Sequence, residues 1–275
     1  MHMNTIIFSG ATINSWIFCI FLCVIAPLCF LWFFKKKTGA KITSFLIGIG
    51  FSLLFSFIIY TVLNIILLQI FGLGFLFRSD NHPVFTFLYD IIIAGLMAFA
   101  GCLLGLKHMI KKHPDKNNAL LFGLGMGSFE CMMNCGAVYI TNIIAAVFIN
   151  SIGSNEYFSK LNLSAAELKQ TYSSFALLAS TPAHTYIIQA TYFLLLLCVH
   201  TALAIMLYPA LQKTENQKAK HLLPLVAVLQ ILGYVPIYLA NIPSLQNSMI
   251  LLTGAFIFTF ILSLLSYQLY QKIAK

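Results

Sequence analysis

The stretch ALLFGLGMGSFECMMNCGAVYITNIIAAVFI, from Ala119 to Ile149, decides the class of this protein. One charged side chain, Glu130, interrupts its uncharged residues. An α-helix rises about 1.5 Å per residue, so about 20 mostly apolar residues cross the roughly 30 Å of hydrocarbon in a bilayer. The stretch is therefore long enough to cross a membrane as a single helix.

The composition of the whole chain agrees with this stretch. Of its 275 residues, 60% are hydrophobic and 8% are charged, and the mean hydropathy is +0.91. A soluble domain carries about 25% charged residues, so an ordinary soluble enzyme is excluded. Intrinsic disorder is excluded, because it needs low hydrophobicity and high net charge. A transmembrane β-barrel is not expected, because its strands alternate apolar and polar residues. The remaining class is an all-α, polytopic membrane helical bundle, which we expect to form one domain over residues 1–275.

Seven stretches are long and apolar enough to span a bilayer. They are Ser15–Phe34, Ile42–Phe71, Val84–Leu106, Ala119–Ile149, Thr185–Leu211, Leu222–Ala240 and Ser248–Gln271. The sequence therefore predicts about seven transmembrane helices in contact with the lipid bilayer.

The basic residues alternate with these spans. Thirteen of the 16 fall between spans one and two, three and four, or five and six, or after span seven. They are Lys35, Lys36, Lys37, Lys41, Lys107, Lys111, Lys112, Lys116, Lys213, Lys218, Lys220, Lys272 and Lys275. Only Arg78, Lys160 and Lys169 fall on the other side. Because cytoplasmic loops are enriched in Lys and Arg, we expect an outside N-terminus and a cytoplasmic C-terminus. The net charge of +9 then reflects topology, and no nucleic-acid partner is expected.

One segment outside the spans has its own helical pattern, residues 162–181. Ser164-Ala165-Ala166-Glu167 is a capping box, which marks the start of a helix. Apolar residues then recur at helical spacing, at Leu168, Tyr172, Phe175 and Ala179. Thr181-Pro182 ends the run. The segment predicts an amphipathic external helix that is either a lid or a connector.

Ionisable residues inside the predicted spans are few. Glu130 and Asp90 are the only acids there, and His200 is the only histidine well inside one. An acid, Lys or Arg at the centre of a membrane helix costs about 2.5–3.5 kcal/mol on insertion scales, so each is a functional candidate. Glu130 and His200 each lie about 18 Å from the cytoplasmic ends of two consecutive, antiparallel spans. The matched depth predicts that the two side chains face one another.

The fourth span carries a stripe of small and polar residues on one face. Its members recur every three or four positions, at Gly123, Gly127, Glu130, Asn134, Ala137 and Thr141. The run from Gly123 through Gly125 to Gly127 leads directly to Glu130. Since small residues let helices approach closely in membranes, the run predicts either an approach for an extended peptide substrate or a packing seam. Gln189 on the fifth span and Gln230, near Tyr234, on the sixth are further candidates for this approach.

A buried carboxylate beside an imidazole suggests acid–base chemistry. Glu130 could act as a general base, with His200 holding water or binding the oxyanion and Asn134 as a second oxyanion donor. These residues outline peptide hydrolysis without a serine, cysteine or metal. A structural hydrogen bond or a proton-coupling pair is the alternative for the same two side chains.

No metal, cofactor or nucleotide is expected. The chain has no HExxH sequence, no phosphate-binding loop and no dinucleotide fingerprint. Zinc takes three or four ligands, and the membrane interior offers His200 and Glu130, with Cys131 or Cys198 as a third. The seven cysteines lie in apolar spans without CxxC spacing, which is typical of packing residues.

The run Phe122–Glu130, FGLGMGSFE, followed by Asn142, resembles the YhfC family of glutamic-type intramembrane proteases. That family is similar to CAAX-protease and bacteriocin-processing membrane enzymes. The resemblance covers most of the chain as architecture, but as motif only the Gly-rich run, Asn142 and His200. It implies a multi-pass protein of a bacterial plasma membrane that cleaves a membrane-embedded peptide.

Carried over residue by residue, Glu130 matches the family's glutamate, the glycines match its Gly-rich run, and His200 matches its later histidine. Met126 stands where the family has a histidine, and Gln189-Ala190 stands where it has Glu-Arg. These departures remove a water-binding group and a second carboxylate. Whether the chain is an enzyme therefore stays open at this point. An intramembrane protease leads, and a non-enzymatic carrier or an inactive pseudoprotease scaffold is the alternative.

Overall fold

The computed structural model describes residues 5–77, 83–212, 221–242, 244–245 and 247–273. Within these residues the regular structure is helical throughout. Five basic residues used above to predict the topology lie outside the described residues. They are Arg78, Lys213, Lys218, Lys220 and Lys275.

Ten helices make up the described part of the chain. They are α1 (Gly10–Thr38), α2 (Ile42–Ile70), α3 (Gly74–Phe77), α4 (Pro83–Lys112), α5 (Lys116–Ile152), α6 (Ser154–Ser159), α7 (Ala165–Ser180), α8 (Ala183–Leu211), α9 (Leu222–Leu239) and α10 (Met249–Ile273). Seven of them, α1, α2, α4, α5, α8, α9 and α10, are long and apolar enough to cross a membrane. This confirms the predicted all-α bundle of seven membrane helices, and several helices extend beyond the predicted spans.

Three of the membrane helices contain π-helical segments. These are Phe21–Ile25 in α1, Leu53–Ile59 and Ile65–Ile70 in α2, and Met132–Ala137 in α5. A π-helical turn has i→i+5 hydrogen bonds and is wider than an α-helical turn. It therefore rotates the residues that follow it relative to a regular α-helix.

Helix α8 lies at the centre of the bundle. It packs against α5, α10, α9 and α1, and its buried residues continue along most of its length. A helix that is apolar on all sides is expected to be surrounded by others. The outer helices instead expose large apolar side chains, such as Phe260 and Ile250 of α10 and Trp32 of α1. Such a surface suits contact with lipid.

Helix ends rich in lysine meet at one end of the bundle, which we call the basic end. Lys41 N at the start of α2 donates to Asn118 Oδ1 of α5, at 2.9 Å. Lys116 Nζ at the start of α5 donates to Tyr270 O near the end of α10, at 3.1 Å. Tyr208 near the end of α8 is bonded to the α4–α5 connection. The lysine-rich helix ends therefore share one end, as the alternation predicts, whereas Lys160 and Lys169 lie in the connection between α5 and α8. Which side of the membrane this end faces stays a prediction.

An aromatic cluster at the opposite end joins α1, α5, α6, α7 and α8. Its members are Phe8, Trp16, Tyr139, Tyr157, Phe158, Tyr172, Phe175 and Tyr186. Helix α7 begins with the predicted capping box, in which Ser164 and Glu167 bond each other's backbone N–H. These hydrogen bonds hold the pKa of the Glu167 carboxyl below its usual range. The external position of α7 stays a prediction.

Candidate functional site

The Gly-rich run of α5 brings α5 and α8 into backbone contact. A Cβ atom added to Gly127 would lie 2.5 Å from Leu197 Cα, and one added to Gly123 would lie 2.7 Å from His200 O. Distances this short leave no room for any side chain. The packing seam is therefore present, and it sets Glu130 directly opposite His200. An approach for a substrate along the same run stays a prediction.

The middle glycine of the run, Gly125, faces α2. A Cβ atom on Gly125 would lie 2.1 Å from Phe45 O, and a Cβ atom on Gly48 of α2 would lie 2.1 Å from Phe122 O. At this crossing a glycine of each helix lies against the backbone of the other. Small residues let membrane helices pack closely in this way. Helix α5 is held between α2 and α8 at the level of Glu130.

Glu130 is buried at the centre of this arrangement, with 3% of its surface exposed. Its Oε2 atom accepts a hydrogen bond of 2.6 Å from the Tyr234 hydroxyl of α9. The same oxygen lies 3.4 Å from His200 Nε2. Oε1 is also buried and has no hydrogen-bond partner among the described residues. The carboxylate therefore has one oxygen held and one oxygen free to bind a further group.

His200 is fully buried beside the carboxylate. Its Nδ1 atom lies 3.4 Å from Gln230 Nε2 of α9, and its ring meets the Tyr234 ring edge-on, with centroids 6.2 Å apart. An amide N–H can only donate, so this contact leaves Nδ1 as the acceptor in the tautomer that has its proton on Nε2, the atom facing Glu130. The contact confirms that the matched depths of Glu130 and His200 bring the two side chains together.

Two residues at this site have roles that the sequence did not indicate. Tyr234 had been noted only as a polar residue of the sixth span, and nothing in its spacing pointed to Glu130. Ser56 lies in a π-helical segment of α2, next to the Glu130 carboxylate and Tyr234, without hydrogen-bond geometry to either. Depth along a helix can be counted from the sequence, but the rotation that aims each side chain is set by packing.

A cavity of about 250 Å³ begins one helical turn from Glu130, on the side away from the basic end. Its polar lining includes Asn134, Tyr139, Asn142, Tyr186, Gln189, Tyr192 and Asn241. Tyr139 donates to Gln189 Oε1 at 3.3 Å. The Tyr192 hydroxyl is buried and unpartnered within the described part of the chain. The cavity therefore offers amide and phenol groups without a charged side chain.

Asn134 and Gln189 line this cavity and do not contact the carboxylate. Among the described residues, Asn134 makes no hydrogen bond to Glu130 or His200, and its side chain is exposed. Asn134 lies four residues after Glu130, within the π-helical segment Met132–Ala137, so the two side chains are about one helical turn apart along α5.

The donor set around Glu130 does not suit a bound metal. In the described part of the chain no three His, Cys, Asp or Glu side chains are grouped closely enough to hold a metal ion. A catalytic zinc takes three protein ligands, and this site supplies Glu130 and His200. Cys131 and Cys198 do not complete such a group with them.

The fold and the buried pair define a multi-pass helical membrane protein with an ionisable site inside its bundle. The chain belongs to the YhfC family, since the family model described as "YhfC intramembrane metalloprotease" matches residues 18–255. This confirms the resemblance and the multi-pass membrane location.

One curated relative is the "Uncharacterized membrane protein YhfC" of Bacillus subtilis (strain 168), which is 27% identical over 125 residues. Those residues are 46% of this chain and 48% of the relative, so the match spans about half the length of that protein. No solved structure matches the chain significantly.

Proposed function

We propose that this chain is an intramembrane peptidase in which Glu130 is the general base and His200 is its partner. The observation that carries the proposal is the 3.4 Å contact between Glu130 Oε2 and His200 Nε2 inside the bundle. Ionisable side chains are costly within a membrane and mark functional sites by default. The family's description as an intramembrane metalloprotease supports peptide hydrolysis as the reaction, and the metal that it names has no part in this scheme.

The proposed reaction uses the two oxygens of Glu130 differently. Tyr234 holds Oε2, so the unpaired Oε1 is the atom that takes a proton from water. The water oxygen then bonds to the carbonyl carbon of the peptide. The proton passes from Glu130 to the amide nitrogen as the C–N bond breaks. The products are a carboxylic acid and an amine, and Glu130 returns to its ionised form.

His200 has the role of oxyanion donor in this scheme. The scheme uses the tautomer in which Gln230 donates to Nδ1 and the proton is on Nε2, the ring atom 3.4 Å from Glu130 Oε2. A donor beside the reacting carbonyl stabilises the negative charge that develops on oxygen. Tyr234 and Gln230 are positioning residues, since each acts through Glu130 or His200.

The polar cavity is the proposed binding place for the scissile segment. A transmembrane peptide must unwind before it can be cut, and its freed N–H and C=O groups then need partners in the membrane. Asn142 of α5 and Gln189 of α8 supply such partners, and Asn134 lies between Asn142 and Glu130 along α5. We assign Asn134 a substrate-contacting role on this basis, with the Gly123–Gly127 run as part of the approach.

The alternatives predict different structures. Helices broken near Gly123–Gly127 or Gly233–Pro236 would favour a carrier, but α5 is regular from Lys116 to Cys131 and α9 is continuous through Pro236. Separation of Glu130 from His200 would favour an inactive scaffold, whereas the two side chains are in contact. Both observations favour the peptidase.

Cleavage of model transmembrane peptides in proteoliposomes tests the proposal. The probes are labelled polyleucine helices with a central Gly-Asn-Gly segment. Each has about 20 residues, which is long enough to span the bilayer. We expect the parent protein to cleave them and Glu130→Gln to lower the rate by about 10²–10⁴-fold. Glu167→Gln, which removes an exposed acid on α7, is the control and should cleave at the parent rate.

Two results would count against this scheme. Equal rates for the parent and Glu130→Gln would exclude Glu130 as the base. Loss of cleavage on treatment with EDTA would show that a metal takes part, because the scheme uses only the side chains of the chain itself.

A further inference from the structure

A second concave site lies between α1, α5, α8 and α10, toward the basic end. It is a groove of about 390 Å³, partly open along the outer surface of the bundle. Its walls are mostly apolar, with Phe30, Phe34, Leu120, Leu124, Leu197 and Ile205 among the lining residues. The stretch of α8 from Leu197 to Ile205 runs along it for about 12 Å. The groove thus has the length and the lining of a site for a hydrocarbon chain.

Three of the hydroxyl groups in the groove are paired within their own helices. Thr38, Thr201 and Ser266 each donate to a carbonyl three or four residues back, at 2.7 to 2.9 Å. Such hydroxyls turn their apolar side toward the groove and require no partner from a ligand. An occupant of the interior is therefore selected by shape and apolar surface and not by hydrogen bonding.

The mouth of the groove has the opposite character. Lys37 lines it and is exposed, and Tyr267 and Gln271 provide a phenol and an amide at the same level. Lys116 lies beside the mouth with its Nζ atom 4.2 Å from the centroid of the Tyr270 ring. Among the described residues no acidic side chain lines the groove itself, and Asp115, beside Lys116 in the chain, is within electrostatic range of Tyr270.

We propose that this groove binds an anionic phospholipid of the surrounding bilayer. One acyl chain lies along α8 between α1 and α10, and the phosphate meets Lys37 at the mouth. The charge of the mouth identifies the headgroup, because basic residues at a membrane surface attract anionic lipids. The walls identify the acyl chain as the interior occupant, because they are mostly apolar and the hydroxyls of Thr38, Thr201 and Ser266 are already paired. The bound lipid would fill the space between α1 and α10, and this role is independent of the chemistry at Glu130.

Lipid retention by the purified full-length protein tests the proposal. The probes are phosphatidylglycerol and phosphatidylcholine with identical acyl chains, added to the protein in detergent and counted by native mass spectrometry. We expect the parent to retain phosphatidylglycerol preferentially. Lys37→Gln should reduce that retention about fivefold. Lys36→Gln is the matched control, since Lys36 lies over the Trp32 ring as Lys37 lies over the Phe33 ring, but only Lys37 lines the groove.

A second pair of variants tests the acyl-chain position. Thr201→Phe fills the groove and should abolish retention, whereas Thr61→Phe, at an exposed threonine of α2 with the same kind of intrahelical bond, should not. Equal retention of the two lipids would overturn the proposal, as would equal losses in Lys36→Gln and Lys37→Gln. If Thr201→Phe does not fold, the comparison of Lys36→Gln with Lys37→Gln still tests the proposal.

Discussion

At the scale of single residues, the hydrogen bond from the Tyr234 hydroxyl fixes the position of the Glu130 carboxylate. It is the donor that forms a hydrogen bond of good geometry to this carboxylate in the described structure, at 2.6 Å. A carboxylate within a membrane has no bulk water to replace a lost donor. The contribution of this hydroxyl to stability should therefore be large for a single atom.

Removing this hydroxyl should destabilise the folded protein. We expect Tyr234→Phe to lower the free energy of unfolding by about 1.5–3 kcal/mol, the range for a hydrogen bond to a charged group. Thermal unfolding in detergent micelles measures the change. Tyr192→Phe is the matched control, because it removes an equally buried hydroxyl that has no partner among the described residues. That variant should be neutral or slightly more stable, and equal losses in both would contradict the role of Tyr234.

The residue scale also shows how far the sequence could predict the site. The contact between Glu130 and His200 follows from residue counts along two antiparallel helices, because a regular rise converts position into depth. The positions of Tyr234 and Asn134 do not follow in this way. They depend on how each helix is rotated, and the π-helical segment after Cys131 alters that rotation without a recognisable signal in the sequence.

At the scale of helices, glycine packing sets the distance between α2, α5 and α8. Helix α2 contains one closely packed glycine and one glycine with free space around it. Gly48 of α2 lies against the backbone of α5, whereas a Cβ atom on Gly50 would meet nothing within 4 Å. The two positions are two residues apart in one helical environment. They therefore separate the effect of close packing from the effect of helix propensity.

Alanine substitutions at these two glycines should act in opposite directions. Gly48→Ala places a methyl group against Phe122 O and should cost about 1–3 kcal/mol of stability, as overpacking does. Gly50→Ala should be neutral or more stable by up to about 1 kcal/mol, because alanine favours the helix. Thermal unfolding of both variants in detergent measures the difference. A Gly48→Ala protein as stable as the parent would show that α2 can move away from α5 at little cost.

At the scale of the whole molecule, the number of spans was predictable and their arrangement was not. Apolar length is a local property, so seven membrane helices could be counted from composition alone. The central place of α8 depends on which helices pack together, and this is settled by contacts between distant segments. The lysine-rich connections meet at the basic end, which agrees with their alternation along the chain. The alternation by itself also predicts the direction in which the bundle is inserted.

The basic end should face the cytoplasm, because Lys and Arg are retained on that side during insertion. Reporter fusions in a bacterial host measure this. A green fluorescent protein fused after Lys275 should be fluorescent, and alkaline phosphatase fused there should be inactive. Alkaline phosphatase inserted between α6 and α7, after Leu161, should be active, since this connection lies at the opposite end from the lysine-rich connections. The reverse pattern at both positions would show that the bundle is inserted the other way, with the aromatic cluster and α7 on the cytoplasmic side.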